Sequence, residues 1–341
     1  MAVDLGPLAF IDLAYIGSPV RALLSASGDE FRKDAGRGQP GLHDDPTGNP
    51  KGSEWGNTHA VKLRLMPEIT KSDIDFIADV LVETGKSEIM PRFRRLSSVD
   101  TRRKSSAFDV VTEADEAAED AIIACLSQRF GGAAFVGEES VEKEPGLFGA
   151  LGSAPLAFVI DPLDGTRNFS AGVPLFGLMI AAVSNGKVIA GVIHDPVGGV
   201  TAHAVLGNGA TLVDPGGSLR ALQVAGSVPL SEMEGIAGTN FLPEPLRSRV
   251  NSNLSKVGTT NWFRCAAHEY VLAASGHCHF LFYNKLMPWD HAAGWLLHQE
   301  AGGYSAHFDG EPYRANRMTG GLLCAPDHQT WLSLREALLS E

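Results

Sequence analysis

Residues 159–169 read VIDPLDGTRNF. An apolar run delivers the chain into two aspartates three positions apart, Asp161 and Asp164, with Gly165 and Thr166 directly behind them. The apolar strand reads as ending at Asp161, with Asp164 following one turn later, and two carboxylates there repel each other unless something cationic sits beside them. The flanking sequence supplies the frame. Upstream, Glu113 to Arg129 reads as a helix, with Thr112 and Asp115 at the spacing of a capping box, and Phe135-Val136-Gly137 reads as a short strand. Downstream, Phe176 to Ser184 and Val188 to His194 are two strands joined by Asn185-Gly186, a hairpin signal. Thr201 to Leu206 and the turn Gly207-Asn208-Gly209 continue an antiparallel sheet. The second half reads as strand 234–240, helices 243–255 and 264–275, strand 277–283, a helix opening near Trp289 and a last helix after Pro326. Sheets with helices laid against them give a layered α+β architecture.

The chain has 341 residues, of which 44% are hydrophobic, so a large core is expected. A net charge of −12 argues against nucleic acid or an anionic membrane as partner, since phosphate backbones call for clustered Lys and Arg. It leaves room for a small phosphate ester whose charge is met by bound metal. Four cysteines, Cys125, Cys265, Cys278 and Cys324, show no CxxC spacing and read as reduced buried thiols. No apolar run is long enough to span a bilayer. Residues 5–24 come nearest, but Asp12 interrupts them and no basic segment precedes them, so the expectation is a cytoplasmic protein.

Residues 25–60 are rich in Gly, Pro, Asp and Ser and read as loosely ordered. Helical periodicity begins near Ser72, through Ile74, Ile77, Ala78, Leu81 and Val82. Residues 1–65 are therefore expected to be an appendage or a misassigned start. Residues 66–341 would be the functional unit, with one half over about 70–225 and another over about 226–341.

Asp161 and Asp164 form an oxygen-only ligand pair that suits a hard divalent ion, magnesium before others. Gly165 and Thr166 open a helix whose N–H groups suit phosphate. An Asx turn with an Asp N-cap accounts for one aspartate but not both. Three further acidic elements are weak alone: the capping-box stretch 109–115, DVVTEAD; Glu138 and Glu139 after Gly137; and Asp290 in Met287-Pro288-Trp289-Asp290, which also reads as an N-cap.

Together, DVVTEAD, GEES, DPLDGT and PWD, in this order, resemble the inositol monophosphatase family of magnesium-dependent, lithium-sensitive phosphatases, over about residues 70–325. WDHAAG at 289–294 and EAGG at 300–303 are also family-like. The resemblance implies an αβαβα sandwich of the inositol monophosphatase and fructose-1,6-bisphosphatase type, a homodimer, and two or three Mg2+ ions. Glu138, Asp161 and the Leu163 carbonyl would hold one ion, Asp161, Asp164 and Asp290 a second, and Glu138 a third. Glu138 and Thr166 would position and deprotonate the attacking water, Asp115 would bond to Thr166 and support that water, and Gly165, Thr166 and Lys104 would meet the phosphate. Arg167 receives no role.

The sequence departs from that pattern where the alcohol would bind. Inositol-hydrolysing members carry a glutamate seven residues before the WD aspartate; here the position is Tyr283, followed by Asn284 and Lys285. Arg264-Cys265 replaces the small pair before the alanines. Lys285 or Arg264 would favour a second anion on the substrate, or form a charged rim paired with Glu269. The expected activity is hydrolysis of a small polyol or sugar phosphate, resembling inositol 1-phosphate. Histidinol phosphate and 3′-phosphoadenosine 5′-phosphate are the alternative substrates, and a regulatory protein on the same scaffold is the alternative class. His277-Cys278-His279 has chelating spacing without a further ligand, His291 adjoins the acidic motif, and His194 reads as a strand end.

Overall fold

The computed structural model describes residues 68–95, 101–103 and 110–341. Their elements, in chain order, are α1 Lys71–Thr84, running into a π-turn Gly85–Ile89, β1 Thr101–Arg103, β2 Val110–Thr112, α2 Glu113–Arg129, β3 Ala134–Gly137, α3 Glu138–Lys143, α4 Ala150–Ser153, β4 Ala157–Asp164 and α5 Thr166–Ser170. Then come β5 Gly177–Ser184, β6 Lys187–Asp195, β7 Val200–Val205, β8 Ala210–Val213, β9 Leu219–Ala221, β10 Glu234–Ala237, α6 Leu246–Asn253, β11 Thr259–Asn261, α7 Ala266–Ala274, β12 Phe280–Tyr283, α8 Pro288–Glu300, β13 Tyr304–His307, β14 Leu322–Ala325 and α9 His328–Leu339.

Strands β3 to β9 form a seven-stranded sheet in sequence order, parallel between β3 and β4 and antiparallel beyond. The second sheet has five strands in the order β11, β10, β12, β14, β13. Side-chain alternation divides the core into three apolar layers. Phe158, Ile160 and Ile180 face α1 and α2, where they meet Ile77, Leu81, Ile122 and Leu126. Val159, Met179 and Ala181 face α7 and α8, packing with Tyr270, Ala293 and Leu296. The same two helices cover Leu281 and Leu322 of the second sheet. Its far face, with Phe280, Phe282 and Leu323, closes on α6 and α9 through Val250, Trp331 and Leu334. Helices, sheet, helices, sheet and helices thus form the five layers of an αβαβα sandwich.

Local signals explain the elements. Thr70 with Asp73 and Thr112 with Asp115 complete capping boxes at the starts of α1 and α2. Asn185 and Gly186 both have positive φ, 48° and 83°, the pair a two-residue hairpin turn demands. Helix α8 can lie against β6 because Gly191 has no side chain: a Cβ there would stand 2.8 Å from the Cα of Ala293. Gly191→Ala is therefore expected to cost about 2–3 kcal/mol, since the clash is with backbone. An unchanged denaturant midpoint would contradict that packing.

The expected strand ending at Asp161 instead continues to Asp164, with a register irregularity between them: Asp161 pairs with Met179 and Asp164 with Gly177. Three positions apart on a regular strand, the two carboxylates would face opposite sides of the sheet. The extra residue restores a common face, and Pro162, with no N–H to offer a ladder, sits inside the irregularity. The single helical turn that the sequence suggests between the aspartates is not what joins them.

Candidate active site

The acidic residues arrive from three elements. Asp161 and Asp164 come from the end of β4, Glu138 opens α3 where β3 ends, and Asp290 lies in the first turn of α8. Carboxylate oxygens of Glu138, Asp161 and Asp290 lie within 4.8 Å of one another, the one such grouping among the described residues. Asp161 is buried. Burial first, then the charges of Glu138, Asp164 and Asp290, hold its carboxyl well above the usual range. Asp164 is pushed up to about 8 by burial and by Asp290. One of its oxygens is turned toward α7, accepting from the Ala267 N–H at 2.6 Å and the Cys265 thiol at 3.0 Å. An all-oxygen donor set of this kind, anionic and partly shielded from water, fits a hard divalent cation.

Beside this floor stands a hydroxyl held in place from two sides. Thr166 Oγ1 is 2.9 Å from Asp115 Oδ1 and 2.9 Å from the Leu163 carbonyl oxygen. The other Asp115 oxygen accepts from the Thr112 N–H at 2.8 Å and the Thr112 hydroxyl at 2.6 Å. The capping box that starts α2 thereby fixes a buried carboxyl against Thr166. Burial raises that carboxyl to about 7, with Glu138 adding to the effect. Gly165 carries a φ of 86° at the mouth of α5, and a Cβ there would come within 2.9 Å of the Leu175 carbonyl oxygen.

Asp290 is the third residue of α8 rather than its N-cap: the helix starts at Pro288, a residue preorganised for that position, after Met287. The carboxylate is thus placed on the helix rather than spent on capping it. Lys104 lies outside the described residues. Tyr283 and Glu269 face the cleft as partners of each other, the Tyr283 hydroxyl donating to Glu269 Oε2 at 2.8 Å. The Phe263 N–H donates to the other Glu269 oxygen at 3.0 Å. Glu269 is buried, with its carboxyl raised to about 7 by that burial. A charged rim of Arg264 and Lys285 paired with Glu269 is absent among the described residues. Tyr283→Phe would leave this buried carboxyl short of a donor and is expected to cost about 1–3 kcal/mol, read as a lower denaturant midpoint.

The histidines serve the scaffold. His291 bonds the Tyr270 hydroxyl at 3.1 Å and the Lys285 carbonyl at 2.9 Å, and burial lowers it to about 4. His194 lies near the end of β6 beside the Thr201 hydroxyl at 2.9 Å. His279 accepts the Glu234 N–H through Nδ1 at 3.1 Å, and Cys278 is buried, so that triplet gathers no metal-ligand set. Two supports escaped the sequence reading. Glu119 accepts the Glu139 and Ser140 N–H groups at 2.8 and 2.7 Å, anchoring the helix that Glu138 opens. Its spacing of four from Asp115 on α2 was the available signal. The Cys265 thiol on Asp164 had none, since the contact spans 101 positions.

Comparison with known proteins agrees with this geometry. The family model described as the inositol monophosphatase family matches residues 71–340. The Nus factor SuhB of Pseudomonas aeruginosa is 36% identical over 234 residues, covering 65% of this chain and 80% of the relative. An inositol-1-monophosphatase of Mesorhizobium japonicum is 34% identical, covering 59% and 73%, and a histidinol-phosphatase of Chlorobaculum parvum 30% identical, covering 68% and 84%. The crystal structure of extragenic suppressor protein SuhB from Bartonella henselae superposes with a TM-score of 0.67 at 27% identity, covering 79% of this chain and 99% of that one. With the acidic floor, the threonine beside it and the five layers in place, the chain belongs to the inositol monophosphatase family.

Proposed function

We propose that the protein is a divalent-metal-dependent phosphomonoesterase that uses water as nucleophile, most simply with magnesium. The observation that carries this reading is the convergence of Glu138, Asp161 and Asp290 beside the hydroxyl that Asp115 holds. Glu138, Asp161, Asp164, Asp290 and the Leu163 carbonyl are the groups that would hold metal. When bound, magnesium supplies a Lewis acid for the ester and a water of lowered pKa.

The remaining work falls to the chain itself. Thr166 Oγ1 orients the attacking water and passes its proton toward Asp115 Oδ1, the buried carboxyl oxygen 2.9 Å away. The Gly165 and Thr166 N–H groups at the start of α5 face the phosphate oxygens. Burial of Leu163 and Phe169 behind them keeps the floor dry on that side. Residues 66–341 are proposed as the catalytic unit and a homodimer as its state. Among the described residues no helix is long and apolar enough to cross a membrane.

The test is phosphate release with magnesium, with and without lithium, from inositol 1-phosphate, histidinol phosphate, 3′-phosphoadenosine 5′-phosphate and fructose 1,6-bisphosphate. Lithium-sensitive release from any of them is the expected result. No release, together with a melting temperature that magnesium still raises, would favour the regulatory reading. The similarity to proteins named Nus factor is the observation behind that alternative.

A further inference from the structure

Helix α3 starts without a cap of its own. Gly137, the residue before it, has no side chain to accept the N–H groups that a first helical turn leaves unpaired. The acceptor comes instead from α2. Both oxygens of Glu119 are used, one by the Glu139 N–H at 2.8 Å and the other by the Ser140 N–H at 2.7 Å. The Ser140 hydroxyl donates to the latter oxygen as well. Glu119 is only 2% exposed, so its carboxylate is withdrawn from water and met by these three protein donors.

Gly137 is what makes room for it. A Cβ at that position would fall on the Glu119 carboxyl group itself. The backbone asks for no glycine there, since φ is −93° and ψ is 158°, extended values open to any residue. Space alone explains the glycine, and the space belongs to Glu119. The next residue is Glu138, a carboxylate oxygen of which meets those of Asp161 and Asp290. Glu138 therefore lies between the residue that admits Glu119 and the residue that bonds it.

The same face of α2 holds another part of the site. Asp115 lies four residues before Glu119, one turn along the helix, and accepts from Thr166 Oγ1 at 2.9 Å. Ile122 and Leu126 continue that buried stripe into the apolar layer with Phe158 and Ile160 of β4. One packed helix face thus grips α3 and α5 at their first turns.

We propose that Glu119 is a positioning residue: through the first turn of α3 it sets where the Glu138 carboxylate stands toward a metal ion, and Gly137 is the space it needs. This deepens the metal-dependent reading above and rests on it for the ion. Without the clamp every metal-holding group is still present, but Glu138 is displaced.

The test measures the magnesium affinity of the full chain by titration calorimetry with magnesium chloride, at a temperature where each variant is folded. Gly137→Ala is the decisive variant, because it expels the Glu119 carboxylate while keeping its charge and every residue of the acidic floor. The displaced atoms end a flexible side chain, so the fold survives. The magnesium Kd is expected to rise about tenfold or more. Glu119→Gln, which turns an amide donor toward an N–H, is expected to do the same. The double variant is expected to bind no worse than the weaker single one, since both changes act on one contact. Parent-like affinity in Gly137→Ala overturns the proposal even if its melting temperature falls, because a merely structural contact moves stability and not affinity. Losses that multiply in the double variant overturn it too. Should one single variant not fold, the other decides. If the parent binds magnesium but hydrolyses no ester, the phosphatase reading falls and the Kd comparison still decides on Glu119; a parent that binds no magnesium overturns both.

Discussion

Asp161→Asn is expected to lower turnover of any phosphate ester by at least about a thousandfold, with the metal-free protein still folded and melting higher than the parent. The two effects have one origin. Asp161 lies buried among Glu138, Asp164 and Asp290, and each of these charges opposes its ionisation. Without metal, asparagine removes a member of that repulsion and keeps an oxygen to accept the Leu163 N–H, now bonded to Asp161 Oδ1 at 3.1 Å. With metal, the same change withdraws a ligand, and a loss of ~4 kcal/mol of transition-state stabilisation corresponds to the stated factor. Steady-state kinetics and thermal unfolding in chelator provide the two readings. Retained turnover would remove Asp161 from the metal set. Asp164→Asn is expected to cut turnover similarly with a smaller gain in stability, because its oxygen must go on accepting the Ala267 N–H.

The second large effect is on stability against pH in chelator. The carboxyls of Asp115 and Asp164 are pushed up to about 7 and about 8, burial being the first cause, and that of Asp161 is held well above its usual range by burial and by the charges of Glu138, Asp164 and Asp290. In the unfolded chain all three titrate near ~4. Between those values the native state holds protons that the unfolded state has released, so native stability is full below about pH 4 and falls as pH rises through 7 to 8. On the order of 5 kcal/mol is at stake, or roughly 10 °C in melting temperature between pH 5 and pH 9. Excess magnesium should flatten that slope, because a cation then stands where the protons stood. A metal-free melting temperature that climbs over this range would contradict the burial of the cluster.

Much of this was legible in the chain because the signals were local. The Asn185-Gly186 hairpin, the capping box at Thr112 and the apolar runs of β5 and β6 each lie within a few residues, and each is where the sequence places it. Elements stabilised by their neighbours were not. β9 is exposed along its length, and β11 is nearly so, leaving no apolar period to detect. The expected strand over 277–283 shortens to β12 because His277-Cys278-His279 serves a turn and a backbone contact instead.

The same division holds at the site. Asp161, Asp164, Glu138 and Asp290 stood out through motif and order. The path that brings Asp161 and Asp164 to one face is not legible there, since a bulge around Pro162 and a helical turn look alike in sequence. Glu269 meeting Tyr283, or Trp262 resting on Gly238, depends on how α7, β10 and β11 dock, and no spacing reports that.

Helices α7 and α8 belong in sequence to the second sheet, yet they are also the roof over the first. Glu138 and Asp161 are therefore made early in the chain and receive Asp290 only after the later half has wrapped back. Such long-range closure is slow compared with forming a hairpin. The acidic cluster is thus complete only when both sheets are in place, and a polypeptide interrupted between them would carry the DPLDGT motif without Asp290 beside it.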